Sequence, residues 1–68
     1  MSSSRERDER AVVLAYKLAR SGEFNSWLSI EHELEARGYS RAKFLLDNER
    51  TRDEINRLCR ESRNAANA

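Results

Sequence analysis

The sequence predicts an all-α protein, a small bundle of three to four short helices. Three observations carry that expectation. The 68 residues contain no proline and only two glycines, so little in the chain removes a helical hydrogen bond or loosens the backbone. β-branched residues, which favour strands, are few. Capping residues stand where apolar periodicity starts and stops.

The first helix is expected over about 5–21. Ser3 and Glu6 have capping-box spacing, with Ser4 as an alternative cap. Glu6/Arg10 and Arg5/Glu9 are one turn apart and of opposite charge. Its apolar set, Ala11, Val12, Leu14, Ala15, Tyr16, Leu18 and Ala19, spans roughly 200° of the wheel, wider than the stripe of an ordinary surface helix. Val13 falls outside even that arc. Gly22 stands where a left-handed helix end needs glycine. The second helix is expected over about 26–37, capped by Asn25, with a narrow stripe of Trp27, Ile30 and Leu34. Gly38 and Tyr39 then fit the last two positions of a Schellman motif, with Tyr39 packing on Leu34.

A short third helix, about 41–47, follows a Ser40 cap. It carries Phe44, Leu45 and Leu46 in succession, and three neighbours cannot share one helical face. Asp47 and Asn48 are breakers and caps. The fourth helix is expected over about 51–63, opened by the capping box Thr51-Arg52-Asp53-Glu54, with Ile55, Leu58, Cys59 and Ser62 inward. The whole reads as a flexible start over 1–4, one helical domain over 5–63 and a frayed tail over 64–68.

A chain this short buries only about 60% of the surface its unfolded form exposes, and usually needs a staple. One cysteine, Cys59, precludes an intramolecular disulfide, and one histidine, His32, leaves too few ligands for a Cys/His zinc site. Self-association is the remaining staple. The lone cysteine points to a reducing compartment. The polar start has no apolar stretch resembling a secretion signal, so the cytoplasm is expected. No apolar run approaches the roughly 18 residues of a membrane span. Thirteen Lys and Arg against twelve Asp and Glu leave a net charge of +1, which speaks against a polycation or a membrane-surface peptide.

Catalysis has few parts. A Cys59–His32 pair needs the fold to unite two residues the sequence keeps apart. Glu31 and Glu35 are one turn apart and read as a solvated face, since acid–base work needs a cleft. Cys59 reads as a small core residue and His32 as a surface residue. The protein is therefore expected not to be an enzyme and to need no cofactor or metal.

Residues 29–44 have a degenerate helix-turn-helix outline: Ile30, Gly38, Tyr39, Ser40, Arg41, Ala42 and Phe44 match it. Leu34, Glu33 and Arg37 depart from it, Glu31, Glu33 and Glu35 would repel phosphate, and Leu45 and Leu46 replace polar base readers. On this alternative the protein is a DNA-binding transcriptional regulator, with Arg41, Lys43, Arg52, Arg60 and Arg63 at the phosphates. The competing reading of these arginines is a solvated helix face, neutralised through Asp53/Arg57, Arg57/Glu61 and Arg50/Glu54.

Surplus apolar surface weighs more. Leu14, Ala15, Leu18, Trp27, Ile30, Leu34, Phe44, Ile55 and Leu58 suffice for a core. Val12, Val13, Tyr16, Leu28 and part of Leu45/Leu46 are then left over. A marginal domain gains from burying them against a second chain. The expected function is thus a small non-enzymatic helical protein-interaction module, self-associating as a homodimer or binding another protein, in an accessory or regulatory role. Its expected interface is Val12, Val13, Tyr16, Leu28 and Leu45. The run Leu18-Ala19-Arg20-Ser21-Gly22-Glu23-Phe24, with Trp27, Ile30, Leu34, Gly38-Tyr39, Leu46-Asp47 and Leu58-Cys59, resembles a group of short, uncharacterised bacterial helical proteins. The resemblance implies a compact bacterial helical domain and brings no activity with it.

Overall fold

In the computed structural model, which describes residues 4–66, the chain is a small all-α bundle. Its helices are α1 (Ser4–Arg20), α2 (Trp27–Ala36), α3 (Ala42–Leu45) and α4 (Glu49–Ala66). α1 is the hub: it packs along α4 and also touches α2 and α3. Its buried face is Ala11, Ala15, Leu18 and Ala19. Three alanines at four-residue spacing let neighbouring helices approach closely. Ile30 and Leu34 of α2, Ala42, Leu46, and Ile55 and Cys59 of α4 complete the core. Fully burying each of the larger aliphatic side chains contributes roughly 1.5–3 kcal/mol. Leu14, Tyr16, Phe24, Trp27, Tyr39 and Leu58 pack half-buried against this core.

The Schellman end of α2 forms as the sequence predicts. Tyr39 N–H donates to the Leu34 carbonyl at 2.9 Å and Gly38 N–H to the Glu35 carbonyl at 3.0 Å. Gly38 has φ +95° and Gly22 has φ +79°, a left-handed backbone that glycine adopts without Cβ strain. At Gly22 a side chain would also face the Ser62 backbone on α4.

The caps differ from expectation. Ser4 stands inside α1, and the expected Ser3 cap lies outside the described residues. Ser26, not Asn25, is the N-cap of α2, and it makes no side-chain cap bond. The first N–H of α2, on Trp27, donates instead to Asn56 Oδ1 of α4 at 2.9 Å. A tertiary bond thus replaces the local cap. α3 starts after Arg41 rather than after a Ser40 cap, and is a single turn instead of 41–47. α4 starts two residues before the expected Thr51 box. Asn48 Oδ1 accepts from Thr51 N–H at 3.2 Å, and Asn48 C=O accepts from Arg52 N–H at 2.9 Å, as an N-cap should. Asn64, Ala65 and Ala66, expected to fray, continue α4.

The largest correction concerns Phe44 and Leu46. Phe44, placed in the core by sequence, is 73% exposed, whereas Leu46 is fully buried. The reason is helical period. Ala42 and Leu46 are four apart and share the inward face, and Leu46 N–H donates to the Ala42 carbonyl at 3.0 Å. Phe44, between them, is carried to the opposite side.

Candidate protein-interaction surface

The first surface is the outside of α1. Glu6, Glu9, Arg10, Val13, Lys17 and Arg20 are all exposed. They lie three, four or seven positions from Val13 and so share its face. Val13, an apolar residue among charges, is 54% exposed. Half-buried Leu14 and Tyr39 flank it on one side, and half-buried Val12 and Leu45 on the other. Three of the five expected interface residues, Val12, Val13 and Leu45, therefore line one shallow depression.

Tyr16 does not join them as a free contact. It packs on the core, and its hydroxyl donates to Glu54 Oε2 at 2.8 Å. Burial, and then that bond, hold the phenol above its ordinary value of 10.0. The expected interface residue is thus a strut between α1 and α4.

The second surface is a groove between α2 and α3. Trp27, Leu28, Glu31, His32 and Glu35 of α2 face Lys43 and Phe44 of α3, with Asp47 and Arg52 at one end. Leu28, the fifth expected interface residue, is 45% exposed here, beside the outward Phe44. Glu31, expected on a solvated face, is only 6% exposed. The α2 period places Glu31 one position after Ile30 and three before Leu34, both in the core, so its stem is pulled inward with them. Exposed His32 agrees with the sequence reading.

Of the five cations expected at phosphates, Lys43 and Arg52 border the α2–α3 groove, while Arg41 and Arg60 lie at other surfaces. Arg41 pairs with Asp8 of α1 at 3.2 Å. Arg52 is a structural fastener: its guanidinium stacks 3.8 Å from the Trp27 ring centre, donates to the Leu46 carbonyl at 2.6 Å, and lies 3.4 Å from Asp47. Arg7, not singled out by sequence, donates to the Gly38 carbonyl and stacks over Tyr39 at 5.2 Å. Lys43 is exposed on α3, while Arg60 and Arg63 are exposed on α4. Of the expected one-turn ion pairs, Arg5–Glu9, Arg50–Glu54 and Arg57–Glu61 form, each at 3.6 Å. The outer wall of α4 around Arg50, Asp53, Arg57 and Arg60 thus carries both signs of charge.

Cys59 is fully buried, and burial holds its thiol above the ordinary value of 9.0. That favours the unreactive thiol over the nucleophilic thiolate. Among the described residues no group of three or more His, Cys, Asp or Glu could hold a metal, and no helix is long and apolar enough to cross a membrane.

Sequence reasoning missed Phe44, Glu31 and Asn56. The run Phe44-Leu45-Leu46 did carry a signal for Phe44, because one of three neighbours has to point away. Nothing local marks Asn56, whose partner is 29 residues distant. No family model, no curated protein and no solved structure matches this chain.

Proposed function

We propose that this protein is a small non-enzymatic interaction module that self-associates through the outside of α1, in an accessory or regulatory role. The observation that carries this reading is the self-complementarity of that face. Around the exposed Val13, the N-terminal side presents Glu6 and Glu9 with Arg10, and the C-terminal side presents Lys17 and Arg20. When two copies of α1 cross antiparallel with Val13 on Val13, Glu9 meets Lys17 of the other copy and Glu6 meets Arg20. The helix dipoles also oppose favourably. One patch satisfies both sides, which is what a two-fold dimer requires. Val12 and Leu45 on one flank and Leu14 on the other supply the apolar contact.

The area sets the strength. A helix of this length offers a strip about 25 Å long and about 10 Å wide, well short of the roughly 800 Å² per partner of a standard stable interface. Exposed ion pairs add only about 0.2–1 kcal/mol each and chiefly set orientation. The dimer is therefore a weak one. Light scattering over a concentration series reaching the order of a millimolar should show mass rising toward the dimer. Mass that stays at one chain throughout rejects the reading. Val13→Lys places a like charge at the two-fold and should hold the protein monomeric with its helical circular dichroism intact.

The DNA-binding alternative has less support. Arg41 and Arg52 are committed to Asp8 and to Trp27. The helix that would enter the groove is one turn of four residues. A reducing compartment such as the cytoplasm suits the buried, unpaired thiol of Cys59.

A further inference from the structure

We infer that the α2–α3 groove is a second, separate docking site, and that it takes a cationic amphipathic segment of another protein. The segment carries a lysine or arginine about one helical turn from a large apolar side chain.

The groove is unusual in what it leaves unfinished. Its rim is Phe44, 73% exposed, and Leu28, 45% exposed. Both lie along one channel with the half-buried Trp27. Large apolar side chains this exposed and adjacent mark interaction surfaces more than chance exposure does. The floor is Glu31, a carboxylate on a residue more than nine-tenths buried. None of the described residues gives its side chain a hydrogen bond or an ion pair, although its oxygens are not sealed off from the groove. These oxygens stay open to water through the groove, so a cation brought there can bond them directly. Nearby cations do not close the gap. Arg52 is spent on Trp27, Leu46 and Asp47, and Lys43 lies beyond ion-pair distance of Glu31, its side chain at the exposed rim.

An incoming ammonium or guanidinium completes the site. It supplies the charge-assisted hydrogen bond that Glu31 lacks, while an apolar neighbour covers Phe44 and Leu28. Two helices flank the channel, and a third helix laid between them matches the helix-in-groove mode of peptide recognition. The occupant is not a second copy bound through the α1 dimer face, because that face is built around Val13. The two surfaces share no residue.

The test uses the full chain and a synthetic amphipathic helix of leucine, alanine and lysine, with a counterpart in which every lysine is glutamine. The lysine peptide should shift the amide resonances of Leu28, Glu31 and Phe44 while leaving Val13 in place. Glu31→Gln should weaken binding about tenfold, the scale of one charge-assisted bond. Phe44→Ser should weaken it by a similar factor without loss of fold, since that side chain is outside the core. The glutamine peptide should bind as poorly to the parent chain as the lysine peptide does to Glu31→Gln. Equal binding of the lysine peptide to the parent and Glu31→Gln proteins overturns the inference. So do shifts spread over the acidic positions of α1 and α4, which would mark unspecific charge attraction. Shifts at Leu28 and Phe44 that appear on concentrating the protein alone overturn it too, by giving the groove to a second copy. None of these outcomes depends on whether α1 dimerises.

Discussion

Along α1 and α4 the packing follows the helical period, whereas around α2 and α3 it follows bonds from distant residues. Ala15 and Ala19 on α1 share the core with Ile55 and Cys59 of α4, and each set repeats every four positions. By contrast, α2 is capped by Asn56 from α4. The loop after α2 is held by Arg7 from α1, and the segment after α3 by Arg52 from α4. The long helices bury what their pattern says they should. The short ones expose an aromatic ring and draw the stem of a glutamate inward. The difference teaches how each region comes to expose side chains. Long helices settle the fold, and short helices fastened from outside are free to present side chains that the fold does not need.

This contrast can be broken by mutation, most strongly in the core. Ile55→Ala should cost about 2–5 kcal/mol, a large fraction of what a domain this small has. A chemical denaturation curve should show most of the stability gone. Phe44→Ser, one of the largest side chains traded for one of the smallest, should stay within about 0.5 kcal/mol of the parent. A large loss there would return Phe44 to the core and erase the groove.

The fastening of α2 is the next largest effect. Asn56→Ala leaves the Trp27 N–H without its acceptor and should cost about 1–2 kcal/mol, as a lost cap does. Hydrogen exchange should show the loss concentrated in the first turn of α2. A uniform loss over α1 and α4 would mean that the two regions are not separately held.

A smaller effect belongs to Tyr16, with a direction in pH. Its bond to Glu54 contributes about 1 kcal/mol, which Tyr16→Phe removes. Both the Tyr16 phenol and the Cys59 thiol are raised in the folded state, from 10.0 and 9.0. The folded chain thus holds these protons more tightly. Their stabilisation is complete below the ordinary values and is lost as pH rises through the raised ones. Stability should decline above about pH 9, and less steeply in Tyr16→Phe. A slope that is unchanged by that substitution would remove Tyr16 from the account.

The fold was legible in the sequence to the extent that it is local. Helix number, the Gly22 and Gly38 turns, the Schellman bonds of Gly38 and Tyr39 and the burial of Cys59 all rest on spacing within a few residues. Asn56 at the head of α2 was not legible, because its partner is distant. The reversal of Phe44 and Leu46 was half legible: three neighbours demanded that one face out, but which one depends on how α3 docks through Ala42. The exposure of the proposed interface residues was legible in part for the same reason. Val13 stands out by its position on the wheel, while Tyr16 looked surplus only until Glu54 came within reach of its hydroxyl.

The central claim, that two copies meet through antiparallel α1 faces, is tested most directly by charge reversal followed in sedimentation equilibrium. Glu9→Lys and Lys17→Glu should each weaken the dimer, since each sets like charges across the contact, and the double reversal should restore it by exchanging the partners. A double variant that stays as weak as the single ones, or single variants that dimerise like the parent chain, would contradict the antiparallel contact.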